Sequence, residues 1–138
     1  MKTSLENIAA IIAAAIWADG VYDPAEEITV EEIAEALELD EAKFKEAVNK
    51  CVKGLNGLSE NQANAVLKDA AEAVDDEEIG IVFEAAMQML LADSELSRAE
   101  VSNLLAIAEA LGIEDEDAIL MLADMVKSEP DLAINMAD

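Results

Sequence analysis

A chain of 138 residues with 54% hydrophobic content has the length of one ordinary domain and enough apolar surface to bury a proper core. Its 32 acids against 8 bases, a net charge of -24, exclude nucleic acid and anionic membrane surfaces as natural partners, because phosphate binding needs protein cations to displace counterions. Metal cations, basic protein surfaces or basic peptides remain, as does a charge that serves only solubility or salt tolerance.

The absence of histidine removes the commonest general base, the commonest transition-metal ligand and every Ser-His or Cys-His nucleophile. In chain order, Thr3 and Glu6 form an N-cap and its partner three residues on, and Leu5, Ile8, Ile12 and Ile16 follow at helical spacing. The run Ile8 to Ala18 is too short to span a bilayer and follows Glu6, so it reads as a core helix of a cytoplasmic protein rather than a signal peptide or membrane anchor. Asp23 with Glu26, and Pro24 in the favoured first position, open a second helix along Val30, Ile33 and Leu37. A third runs near Glu41 to Lys53, with Phe44, Val48, Cys51 and Leu55 on one stripe. Cys51 is therefore a buried small hydrophobe rather than a reactive thiol.

Ser59 with Gln62 caps a fourth helix along Val66, Ala70 and Val74, and the acidic run Asp75-Asp76-Glu77-Glu78 opens a fifth along Ile79, Phe83, Ala86 and Leu90. Ser97 with Glu100 caps a sixth through Val101, Leu104, Ala108 and Leu111, and a second acidic run, Glu114-Asp115-Glu116-Asp117, opens a helix over Glu116 to Lys127. A short helix is expected after Pro130, and no segment has the alternation of a strand. The fold class is all-α: a single globular domain of seven or eight helices. The separators, chiefly Gly20 to Asp23, Gly54 to Ser59 and Asp93 to Ser97, are brief enough that successive helices must pack on one another.

An offset of 74 residues lays Ile33-Ala34-Glu35-Ala36-Leu37-Glu38-Leu39 on Ile107-Ala108-Glu109-Ala110-Leu111-Gly112-Ile113, and Ala18-Asp19 with Ala25-Glu26 on Ala92-Asp93 with Ala99-Glu100. An internal duplication of helical hairpins, with halves of about 1–74 and 75–138, is the economical explanation, and it places Ile33 and Ile107 at equivalent buried positions. Ala18-Asp19-Gly20 followed by Glu26, and Ala92-Asp93 followed by Glu100, resemble the two Asp-Gly-x-x-x-x-x-Glu signatures of the TerB-like (tellurite-resistance) family, with Ser94 where glycine is usual in the second. The resemblance implies an all-helical module spanning the chain and tied to tellurite resistance and bacterial stress response, with acidic residues that take a metal cation. Related domains occur in cochaperones and larger assemblies.

Read from the residues alone, Asp19 closes a helix whose negative dipole end disfavours a carboxylate. A Ca²⁺ or Mg²⁺ ion held by Asp19, Asp23, Glu26 and Glu27 offsets that, but so do turn amides, with Asp19 in an Asx turn, Asp23 an N-cap and Glu26 its capping-box partner. The second half offers Asp93, Glu95 and Glu100, and is the poorer site because Ser94 replaces Gly20 and Ser97 replaces Asp23. Residues 1–74 carry -9 and residues 75–138 carry -15. Lys43, Lys45, Lys50 and Lys53 are the one basic concentration, suited to an acidic face of this chain or of a partner. Met87, Met89, Met121, Met125 and Met136 serve as core filler or as a deformable partner groove. The expected function is that of a non-enzymatic acidic binding module with a divalent cation and an unidentified protein as partners; the alternative is a structural adaptor whose acidic turns are only caps.

Overall fold

The first helix, α1 (Leu5–Asp19), is the element around which the others are arranged. A computed structural model of the chain describes residues 3–19, 24–90, 95–128 and 133–135. Within α1, Ile8, Ala9, Ile11, Ile12, Ala13, Ala14, Ala15 and Ile16 are all buried. Apolar residues on every side leave a helix no solvent face, so it must be enclosed. It packs against α3 (Glu41–Leu55), α4 (Glu60–Glu72), α5 (Ile79–Leu90) and α6 (Arg98–Leu111). The alanines let α3 approach closely, and burial of each isoleucine contributes roughly 1.5–3 kcal/mol.

The start of α1 differs from the expected cap. Ser4, not Thr3, is the N-cap: its Oγ accepts from Asn7 N at 3.3 Å and its carbonyl accepts from Ile8 N. Thr3 is drawn away by a long-range knot in which its N and Oγ1 donate to Glu78 Oε1 at 2.8 and 2.6 Å, while Asp75 N donates to Thr3 Oγ1. Thr3 is 5% exposed, so its hydroxyl needs those partners. Helix α2 (Pro24–Ala36) begins at the proline, as its fixed φ favours, and packs on α3 and α5. Helix α3 has Asp40 as N-cap and continues to Leu55, two residues past the expected end. Helix α4 carries the expected Ser59–Gln62 capping box. Its buried stripe is Ala63, Leu67, Ala70 and Ala71, with Val74 buried just beyond its end, and Val66, expected on that stripe, is exposed.

The first acidic run forms a 3-10 turn, Asp76–Glu78, capped by Asp75, that leads into α5. After α6 comes α7 (Asp115–Ser128), which packs on α6. Seven α-helices are thus present among the described residues. One core cluster draws on α1 through α7, and a small satellite of Ala13, Leu55 and Ala63 sits where α1, α3 and α4 meet. The expected absence of strands is corrected by a three-residue parallel ladder: β1 (Glu95–Ser97) pairs with β2 (Ala133–Asn135), where a short helix was expected. A single isolated turn cannot meet the cost of helix nucleation, whereas paired strands satisfy their backbone groups at once.

Helices α1, α2 and α3 begin at Leu5, Pro24 and Glu41, and α5, α6 and α7 begin at Ile79, Arg98 and Asp115, each pair 74 residues apart. The offset of 74 also relates the turns that close α2 and α6. Leu39 N donates to Ala34 O and Ile113 N to Ala108 O, both at 2.8 Å, around a left-handed residue, Glu38 (φ 57°) or Gly112 (φ 82°). Ile33 and Ile107 are both buried. So are Ala9 with Phe44 and, at the offset positions, Phe83 with Ala118: the large residue sits on the third helix in one half and on the first in the other.

Two stability predictions follow from this packing. Phe44→Ala, at 0% exposure, is expected to lower the free energy of unfolding by about 3–5 kcal/mol, whereas Val66→Ala at the exposed α4 position stays within about 0.5 kcal/mol, measured by urea titration. At the left-handed helix ends, Glu38→Gly is expected to stabilise and Gly112→Ala to destabilise, each by about 1 kcal/mol. A Cβ at Gly112 meets nothing within 4 Å, so the backbone conformation alone sets the sign.

Candidate functional site

The α1–α2 turn is the first place to look for the predicted carboxylate site. Asp19 is the last residue of α1, and Glu26 and Glu27 lie in the first turn of α2. Glu26 is 3% exposed, a strongly buried carboxylate with a bonding partner of its own. Glu27 points elsewhere: its Oε1 lies 2.8 Å from Lys45 Nζ, which also reaches Glu31 Oε1 at 2.7 Å. These bonds, that to Glu27 first, hold the Lys45 ammonium well above the usual lysine range. Lys45 thus clamps α3 to α2, so part of the basic cluster docks on an acidic face of this chain, while Lys43, Lys50 and Lys53 stay exposed.

Asp23 and Asp93 lie outside the described residues, as do the side chains of Asp19, Glu95 and Glu100; by backbone, Glu95 opens β1 and Glu100 is the third residue of α6. Among the described residues no group of three or more His, Cys, Asp or Glu side chains is arranged to hold a metal ion. Elsewhere the acids behave as caps. Asp40 accepts from Lys43 N and Asp75 from Glu77 N, each at 3.0 Å.

Open clefts lined by the described residues lie between several helix pairs. One of about 330 Å³ lies between α4 and α6, with Lys68 and Glu109 on its walls. A second of about 330 Å³ lies between α2 and α5, beside Ile33, Leu37 and Ile81. A third, about 240 Å³, lies between α5 and α7 and is lined by Glu84, Met87, Met121, Asp124 and Met125. Met87 and Met89 are core residues, Met121 and Met125 are half-buried, and Met136 lies outside the described residues. Helical spacing alone marked Met121 and Met125 as neighbours; that they meet Met87 across a cleft had no local signal. None of the described helices is long and apolar enough to cross a membrane.

No family model, no curated protein and no solved structure matches this chain.

Cys51 is half-buried beside the satellite cluster, and burial pushes its thiol above the usual range despite the opposing charge of Lys50. Because the thiolate is the nucleophile, alkylation by iodoacetamide at pH 8 should run more slowly in the folded protein than in the urea-unfolded chain at the same pH. An equal or faster rate in the folded state would show an activated thiol instead.

Proposed function

We propose that this chain is a non-enzymatic, acidic helical binding module of the TerB-like kind that takes a divalent cation, Ca²⁺ or Mg²⁺, at the α1–α2 turn. The observation that carries this reading is Glu26, a carboxylate 3% exposed in the first turn of α2, separated from Asp19 at the end of α1 only by the turn. Glu26 already has a partner within the chain, and a hard cation at the adjacent turn would add to the compensation of a carboxylate that is costly to bury. The proposed ligands are Asp19, Asp23 and Glu26; Glu27 serves the Lys45 clamp. The second turn, with Asp93 and Glu100, is proposed to bind weakly or not at all, since Ser94 and Ser97 replace Gly20 and Asp23.

The reading includes an internal duplication. Support comes from the common offset of three helix starts and of the two left-handed helix ends. Support comes also from a concerted exchange: Glu27, Glu31 and Lys45 correspond to Val101, Leu105 and Ile119, an ionic clamp in one half and three apolar residues in the other. A second reading, a protein-interaction adaptor in which the acidic turns are caps, is favoured by the behaviour of Asp40, Ser59 and Asp75, each of which accepts from a backbone amide in the following turn.

Metal titration separates the two. Under the cation reading, Ca²⁺ or Mg²⁺ at about a hundredfold excess over Kd stabilises the fold by roughly 2.7 kcal/mol, read as a rise in Tm. Asp19→Asn with Glu26→Gln removes most of that rise, and Asp93→Asn retains it. An equal rise in sodium chloride of matched ionic strength, or an unchanged response in the double variant, leaves the adaptor reading standing. Equal loss in Asp19→Asn and Asp93→Asn would indicate one pooled site.

A further inference from the structure

We infer that the cleft between α5 and α7 docks a cationic amphipathic helix of a protein partner. The inference rests on the internal duplication proposed above: in the first half, the positions offset by 74 from the cleft residues are Ala10, Ala13, Ala47, Lys50 and Cys51, on the seam between α1 and α3. Four of those five side chains are small, and there α1 and α3 close on one another. Helix α4 then covers the end of the seam, with Ala63 packed in the satellite cluster beside Ala13 and Leu55, and with Trp17 and Cys51 against it. In the second half the same positions carry Glu84, Met87, Met121, Asp124 and Met125, and the seam stands open.

No described helix covers this seam. Residues 133–135, at the offset where α4 begins in the first half, are committed to the ladder with β1 beside α6. Among the described residues, the open seam therefore matches a helix-docking position that is filled in the first half and open in the second. At about 240 Å³ the cleft is smaller than the roughly 300–1,000 Å³ of a small-molecule pocket, and it suits anchor side chains projecting from a docked helix. Unbranched methionines adjust to whichever anchors arrive.

Charge selects the sign of the partner. The first seam carries a cation, Lys50, and is covered by α4, which has three acids to one base. The second has Asp124 in place of Lys50, and Glu84 stands on the opposite wall, so complementarity inverts and calls for basic residues flanking the apolar stripe. The chain's net charge of -24 steers such a helix toward it.

The test uses the full chain with methionine methyl groups labelled by ¹³C, in 150 mM NaCl to screen diffuse attraction, and a synthetic helical peptide of Leu and Lys with leucines at i, i+3, i+4 and i+7. The expected result is saturable binding with shifts of the half-buried Met121 and Met125 methyl signals, a smaller shift at Met87 in the core beneath them, and none at Met89, which does not line the cleft. A scrambled peptide of the same composition should bind at least about tenfold more weakly, as should the Met121→Gln, Met125→Gln double variant, whereas Ile28→Glu, at an exposed apolar position on α2, retains binding. Equal affinity for the scrambled peptide, or methyl shifts absent from Met121 and Met125, overturns the proposal. The methyl readout on the parent protein decides the matter if the double variant unfolds. Concentration-dependent shifts of the same methyls without peptide, with dimer in sedimentation, would make a second copy the occupant and equally overturn it.

Discussion

Helix α1 has no face that tolerates water, and the arrangement of the other helices answers that requirement. Eight consecutive or nearly consecutive residues, from Ile8 to Ile16, are buried, so neighbours must close on it from several directions, and α3, α4, α5 and α6 do so. Isoleucines supply the area removed from water and alanines set the distance, because a helix faced with alanine lets its partner approach closely. With two phenylalanines and one tryptophan in the whole chain, close approach replaces aromatic bulk as the means of filling the interior. The charge is displaced outward, onto helices that each bury only one stripe. The N-terminal end of α1 is tied down by polar contacts, where Thr3 joins Glu78 and Asp75 across the fold.

Positions 74 residues apart carry different chemistry in the two halves of the chain. Ala9 with Phe44 and Phe83 with Ala118 divide one large and one small side chain between the first and third helices in opposite ways, which keeps the summed volume. The Lys45 clamp on Glu27 and Glu31 has the apolar set Ile119, Val101 and Leu105 at the offset positions; Val101 and Leu105 pack against the core, and Ile119 is 53% exposed. An exposed ion pair and an apolar contact are near-equivalent ways to bring two helices together, since the gain of the first is offset by desolvation and ordering. At the seam of α5 and α7, Met87, Met121 and Met125 line an open cleft.

The surplus of acids has correspondingly mixed consequences. Asp40 and Asp75 satisfy helix-start amides, Glu78 anchors Thr3, and Glu27 and Glu31 are held by Lys45. Glu26, almost wholly withdrawn from solvent, also has a partner within the chain.

The helices themselves were legible in the sequence because their signals are local. Pro24 at a first helical position, the Ser59–Gln62 box, and apolar residues three and four apart depend only on neighbours within a turn, and α2, α4 and α6 start where those signals stand. The 74-residue offset is a pattern of the sequence itself, and Ile33 and Ile107, expected in the core, are both buried. Tertiary structure decided whatever depended on residues distant in the chain. Thr3 serves Glu78 and Asp75 rather than its own helix because the partner lies 75 residues away. Val66 faces solvent because α1 and α6 meet α4 along a neighbouring stripe, and residues 133–135 extend because β1 offers them a ladder. Sequence could name the candidate carboxylates Asp19, Asp23, Glu26 and Glu27 but not apportion them. The direction in which Glu27 points is set by the position of Lys45 on another helix, and periodicity along one helix carries no information about the helix it will meet.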